Sequence, residues 1–206
     1  MGVIVRVLKS ERFNVYGGLL LAVLWLLFSY AHFARFQKEH DASLLLVIFS
    51  ETLTAVLFLI RSEPKTISLI PLDWLAALGG TFAPLLFRPT EWGVLPYGVV
   101  LLWLGIVLQI ASLLSLNRSI ALVAARREIK TAGMYRYVRH PIYASYLLIF
   151  AGYVLSETSL PNVALYLLLV VLLGLRIVRE ERHLALDAQY REYMQGVRYR
   201  VIPFVY

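Results

Sequence analysis

The chain has 206 residues, 60% hydrophobic and 16% charged, with a formal net charge of +7. A soluble domain carries about 25% charged and about 45–50% apolar residues, so an ordinary soluble globular protein is excluded and long segments residing in a bilayer are implied. The absence of cysteine excludes a disulfide framework, a thiolate zinc site and a cysteine nucleophile. The basic residues gather at the ends of apolar runs, as in membrane proteins, which argues against a nucleic-acid partner.

At the amino terminus Arg6, Lys9 and Arg12 precede an apolar run at 16–36. The run is too long for the apolar region of a signal peptide and has no small-residue cleavage site, so it reads as a retained first span. Met1-Gly2 does not open a myristoylation motif, because Arg6 stands where Ser or Thr is required. Further spans are expected at 43–61, 69–87, 94–116, 142–156 and 160–179. The fifth, of 15 residues, is short against the ~20 of a perpendicular span. Only Glu157-Thr158-Ser159 separates it from the sixth, so the two form a tight helical hairpin, with Pro161 in the first turn of the returning helix.

Charge orients these spans. With the amino terminus in the cytoplasm, 17 of the 20 Lys and Arg residues fall on inside segments, and the other 3, Arg35, Lys38 and Arg88, fall outside. The positive-inside rule then supports an even number of spans, with both termini cytoplasmic in a multi-pass inner-membrane protein. Between the fourth and fifth spans lies a 23-residue cytoplasmic connection, 117–139; connections of that length are functional or disordered, and the aromatics in this one argue for function. The tail from Glu180 to about Gln195 reads as one helix with a stripe of Leu186, Tyr190, Tyr193 and Val197, stopped at Gly196. Such a helix lies along the membrane surface, and its stripe is free to close a pocket. The fold expected is all-α: a polytopic membrane protein of about six transmembrane helices with a cytoplasmic interfacial helix at the end.

Two constellations carry chemistry. One is Gly133-Met134-Tyr135-Arg136-Tyr137-Val138-Arg139-His140-Pro141-Ile142-Tyr143. It crowds basic and aromatic residues just before a membrane helix whose first turn holds Pro141, where unpaired N–H groups favour a carboxylate or phosphate. Anchoring by the positive-inside rule and an aromatic belt accounts for Arg and Tyr there, but not for His140 and Pro141 between them. The other is Arg176, Arg179, Glu180, Glu181, Arg182 and His183, at the cytoplasmic end of span six. Arg176 and Glu180 are spaced to pair on one helix face. Adjacent Glu180 and Glu181 point about 100° apart, so one can face a pocket and the other cannot. The hairpin between spans five and six brings this end beside His140.

The string GMYRYVRHPIYASYLL, followed by RIVREERHLALDAQYREYMQGVRYRVIP, resembles the isoprenylcysteine carboxyl methyltransferase family and the related phospholipid methyltransferases. The shared order is G-x-Y-x-x-x-R-H-P-x-Y, a helical hairpin, R-x-x-x-E-E, then Y-x-x-Y, and the resemblance covers about 105–205. Residues 1–92 carry no recognised motif; 93–206 form the methyltransferase-like region. The resemblance implies that Tyr135, His140, Pro141 and Tyr143 build a pocket for S-adenosylmethionine, with Ile129 and Lys130 along the adenosine by backbone contact. Glu181 would take the cofactor's amino group, while Arg176 and Glu180 would sit at the methyl-transfer end and orient a lipid-like or prenylated acceptor. No metal is implied. Two positions depart from the family pattern: Ser145 stands where many members have glycine, narrowing the room for cofactor, and Asn117-Arg118-Ser119 replaces a usual glycine.

Elsewhere Glu51 lies mid-span and is expected to be a partnered packing residue against Gln109 or Ser112, with His32, Phe33 and Trp25 as packing or interface residues. Asp73 lies near a span end and reads as solvated. Two other functions are alternatives: a reductase on a related scaffold, since the C-terminal region also resembles that of sterol reductases with their nicotinamide cofactor, and a non-catalytic lipid-binding membrane protein.

Overall fold

The computed structural model describes residues 10–206. Met1-Gly2 and the basic residues Arg6 and Lys9 lie outside the described residues. Helix α1, Glu11–Glu39, begins at Ser10, whose side chain accepts a hydrogen bond from Phe13 N at 3.2 Å. It turns at His40, with φ of 52°, into α2, Leu44–Leu59. The two helices are held across their interface by Ser29 Oγ to Thr52 Oγ1 at 2.8 Å and by His32 Nδ1 to Glu51 Oε2 at 3.0 Å. Glu51 is thus a partnered residue, but its partner is His32. Ser112, an expected partner, donates instead to Leu108 O in its own helix, because α2 turns its Glu51 face onto α1.

A two-residue antiparallel ribbon follows, β1 (Thr66–Ile67) with β2 (Ala125–Arg126), tying the link after α2 to the long connection. Helix α3, Pro71–Phe82, gives way to a 3-10 turn at Ala83–Leu86. Pro84 accounts for the change, since it supplies no N–H and its ring crowds the preceding turn. The span expected at 69–87 is therefore a shorter, broken helix. Asp73, expected to be solvated, is buried, accepting from Ser68 Oγ and from Arg179 Nε at 2.5 Å.

The remaining helices are α4 (Val99–Leu116), α5 (Pro141–Ser156), α6 (Leu160–Leu184) and α7 (Ala188–Gly196). Among the described residues three helices, Glu11–Glu39, Pro96–Ser119 and Leu160–Leu184, are long and apolar enough to cross a membrane; Leu44–Leu59 and Pro141–Ser156 are shorter apolar helices. At about 1.5 Å per residue, the 16 residues of α2 or α5 reach about 24 Å, short of a ~30 Å hydrocarbon core. The protein is an all-α membrane protein that mixes long and short apolar helices. Leu20 and Leu27 of α1 and Val171 of α6 stand exposed, as on surfaces that face lipid.

The main partner of α5 is α4, closer than its hairpin neighbour α6. Small residues permit it. A methyl group on Gly152 would stand 2.5 Å from Leu102 N and 2.6 Å from Gly98 O, and one on Gly105 would stand 2.8 Å from Ile149 N. Backbones this close gain dispersion contact that larger side chains forbid. A second cluster of Ala22, Ala55, Phe58, Leu113 and Ile120 joins α1, α2 and α4.

The tail is two helices where the sequence reads as one. α6 ends at Leu184, and α7 starts after Asp187, whose side chain caps it by accepting from Gln189 N at 2.9 Å. The break rotates Leu186 out of the stripe, leaving it 74% exposed, while Tyr190 and Tyr193 are buried.

Replacing Gly152 by Ala is expected to lower the melting temperature, because the methyl meets backbone that cannot swing aside; overpacking of this kind costs about 1–3 kcal/mol. Gly174, around which nothing lies within 4 Å of an added methyl, is the control. Gly174→Ala should leave the melting temperature unchanged or raise it. Thermal unfolding in one detergent compares the two; equal shifts would contradict the α4–α5 contact.

Candidate functional site

The connection between α4 and α5 is shaped by Ser115, Asn117 and Gly133. Asn117 ends α4 at φ of 51°, a backbone region that glycine enters without steric cost. Gly133 has φ of 61°, and an added methyl would strike Ser115 Oγ, which accepts from Met134 N at 3.1 Å. The 3-10 turn Gly133–Arg136 then buries Tyr135 against Tyr190 and Tyr193 of α7. Tyr193 donates its hydroxyl to Tyr135 O at 2.6 Å. Burial pushes the phenols of Tyr135, Tyr190 and Tyr193 up, so they stay neutral.

Beside this aromatic group lies Glu181, 4% exposed. Its Oε1 accepts from Arg139 Nε at 2.6 Å and contacts His140 Nε2 at 3.2 Å, and its Oε2 accepts from Arg200 Nε at 2.8 Å. Arg139 also donates through Nη1 to Val197 O and Arg198 O, at 2.7 and 2.9 Å. The backbone N–H groups of Arg139 and His140 donate to Tyr199 O and Arg200 O. The start of α5 was expected to offer N–H groups to an anion. The chain's own segment 197–200 occupies those of Arg139 and His140.

One residue earlier on α6 the arrangement opens. Tyr143 donates its hydroxyl to Glu180 Oε2 at 2.7 Å, stacks on the His140 ring at 5.4 Å between centroids, and lies under the Arg176 guanidinium at 5.0 Å. Arg176 donates to Thr81 Oγ1 at 3.1 Å and to Leu122 O at 2.9 Å. The expected Arg176–Glu180 ion pair is not formed among the described residues, because Tyr143 engages both side chains. Oε1 of Glu180 has no partner among the described residues.

These groups line a cavity of about 130 Å³. Of the residues singled out from the sequence, Ile129, Lys130, Tyr135, His140, Tyr143, Arg176 and Glu180 line it; Pro141 and Glu181 do not. Glu181 therefore has neither a free oxygen nor a place on the wall, while Glu180 has both. Ser145, expected to narrow the pocket, is fully buried away from the cavity lining, with its hydroxyl donated to Ile142 O at 2.6 Å. Sequence reasoning missed Thr81 of α3 and Arg127, and it missed the wall that Trp25, Thr54 and Phe58 of α1 and α2 supply. No motif marks them; Arg127 counted only as one of many inside charges. Burial, with the charge of nearby Arg61, holds the Arg127 guanidinium down to about 10. Among the described residues no group of three or more His, Asp or Glu side chains is placed to hold a metal ion.

Glu181→Gln leaves the buried Arg139 with a neutral partner. Breaking one side of a buried ion pair costs about 3–5 kcal/mol. The variant should therefore melt well below the wild type, and limited proteolysis should cut first near the released 197–200 segment. Unchanged melting would show that Glu181 does not anchor the end of α5.

Among curated proteins none matches the chain. Residues 94–191, just under half of the chain and carrying Tyr143, Arg176 and Glu180, match the phospholipid methyltransferase family.

Proposed function

We propose that the protein is a membrane methyltransferase that takes its methyl group from S-adenosylmethionine and gives it to an amphiphilic, lipid-like acceptor. The observation that carries this reading is the two-sided cavity. One part presents Glu180, Arg176 and the rings of Tyr135, Tyr143, Tyr190 and Tyr193; the other presents Trp25, Phe58, Leu113 and Ile142.

The donor set suits the cofactor. A carboxylate with one free oxygen and several tyrosine faces is favourable surroundings for cationic groups such as an ammonium and a sulfonium. When bound, S-adenosylmethionine supplies a methyl group already activated on sulfur. The backbone of Ile129 and Lys130 is proposed to run along the adenosine, and Tyr135, His140 and Tyr143 to shape the pocket, with Pro141 starting the helix that carries Tyr143. Glu181 is assigned a positioning role: it fixes Arg139 and His140 rather than contacting cofactor.

The protein's remaining work is alignment and exclusion of water. Arg176, held by Thr81, Leu122 and the Tyr143 ring, has lost the freedom of a surface arginine and is proposed to orient the acceptor oxygen. Glu180, steadied by the Tyr143 hydroxyl, faces the same space. A carboxylate acceptor such as that of an isoprenylcysteine-like lipid needs no base; an amine acceptor would pass its proton to Glu180. The charge bias supports a six-span arrangement in the inner membrane with this end, and both termini, in the cytoplasm. In that arrangement α7 lies at the interface and brings Tyr190 and Tyr193 over the cavity, the cofactor arriving from water and the acceptor from lipid.

Titration of the purified protein with S-adenosylmethionine, S-adenosylhomocysteine and NADPH tests the reading. Binding of the first two is expected; binding of NADPH alone, or of none, refutes it. Arg176→Ala should retain S-adenosylhomocysteine affinity within about threefold and lose at least about tenfold in turnover, a transition-state loss of roughly 1.4 kcal/mol or more. Glu180→Gln should lower turnover with little change in melting temperature, in contrast to Glu181→Gln.

A further inference from the structure

Two arginines beside the cavity have too few partners. Arg127, from the long connection, is 6% exposed and lines the cavity wall. Its Nη2 donates to Asn14 Oδ1 at 3.1 Å, but its Nε and Nη1 are buried with no hydrogen-bond partner among the described residues. Arg61, at the end of α2, lies against Gly17 and Gly18 of α1, where a methyl on Gly17 would stand 3.0 Å from its Nη2. That nitrogen donates to Asn14 O at 2.7 Å, the guanidinium lies 5.9 Å from the centre of the Phe58 ring, and its Nε is buried with no hydrogen-bond partner among the described residues.

No carboxylate of the described residues lies within 4.0 Å of either guanidinium. The carboxylate next in sequence, Glu128, also borders the cavity but pairs with Lys130 at 2.7 Å and is 67% exposed. Residues 1–9 contain no Asp or Glu. Buried charges in native proteins are paired, and each unmet donor is costly. Here two like charges share one asparagine, which supplies only neutral oxygens.

We propose that Arg127 and Arg61 form a subsite for a phosphate-class oxyanion, reached from the cavity at Arg127 and flanked by Trp25 and Phe58. A guanidinium matches two oxygens of such a group through parallel N–H donors. Apolar contacts beside it suit a ligand whose anion is attached to a hydrocarbon chain. Arg127 lies within the matched segment 94–191, whereas Asn14, Trp25, Phe58 and Arg61 lie outside it. Assigning its anion to the methyl acceptor rests on the methyl-transfer reading; the subsite itself does not.

The test uses the full chain in a neutral detergent without phosphate. Dioctanoylphosphatidic acid, dioctanoylglycerol, inorganic phosphate and S-adenosylhomocysteine are titrated into wild type, Arg127→Gln and Arg127→Lys. Wild type should bind the phosphate-bearing lipid at least about tenfold more tightly than the neutral one, a difference of about 1.4 kcal/mol. Arg127→Gln should lose that preference and Arg127→Lys should keep part of it. S-adenosylhomocysteine affinity should be unchanged in both, and ligand-free Arg127→Gln should melt no lower than wild type, since it sheds an uncompensated charge.

Inorganic phosphate binding as tightly as the lipid, and lost in Arg127→Gln, would support the subsite and make free phosphate its ligand. An equal loss of S-adenosylhomocysteine binding in Arg127→Gln would overturn the proposal by giving the arginine to the cofactor. So would absence of any phosphate preference in wild type, or a lower melting temperature for Arg127→Gln. Phosphate preference without S-adenosylhomocysteine binding would leave the subsite standing and remove the methyl-transfer reading instead.

Discussion

The Glu181 carboxylate joins three parts of the chain that are distant in sequence. It belongs to α6, holds Arg139 and His140 at the start of α5, and reaches Arg200 in the closing segment. A buried carboxylate is expensive unless every lone pair is used. Here both oxygens are taken, and the Arg139 guanidinium also meets two backbone carbonyls. The network fixes where α5 begins, and hence where the Tyr143 ring stands. The value of such a network is definition of position more than net stability.

From that fixed point the cavity is assembled by pieces from both halves of the protein. α3 contributes Thr81 to Arg176, and a methyl on neighbouring Gly80 would stand 3.1 Å from the Arg176 Cδ. α1 and α2 contribute Trp25, Thr54 and Phe58, and the connection contributes Ile129 and Tyr135. The division of the chain near residue 92 is therefore one of motif. The helices without motif supply apolar wall, Asn14 and Arg61, and the motif-bearing segment supplies Arg127 and the polar end.

Much of the fold was legible because hydrophobic runs and charge clusters report directly on a bilayer. The starts of α5 and α6 were readable from Pro141 and Pro161, and the meeting of their site ends followed from a three-residue link. What escaped was decided by packing. The closeness of α5 to α4 depends on which glycines face each other, and no local pattern in one helix states that. The break between α6 and α7 was signalled by Asp187, a good cap, but the tyrosine stripe ran on past it and masked the stop. Within the site, residue types were readable and orientations were not. Glu180 and Glu181 differ by about 100° of helix rotation, and sequence alone does not say which of them meets Arg139.

The position of Tyr143 shows why that distinction has chemical weight. Arg176 and Glu180 have the spacing of a helix-surface pair, which would yield only a few tenths of a kcal/mol and leave each group satisfied by the other. Tyr143 prevents that closure. Its ring lies beneath the guanidinium and its hydroxyl takes one carboxylate oxygen, leaving the second oxygen without a partner among the described residues. Two opposite charges are thus kept near each other, oriented, and incompletely paired on the wall of one cavity. Helix-surface ion pairs have no need of such separation. A site that must engage a cationic donor and an oxygen-bearing acceptor at once does need it, and Glu181 maintains it from behind by holding the His140 ring on which Tyr143 stacks.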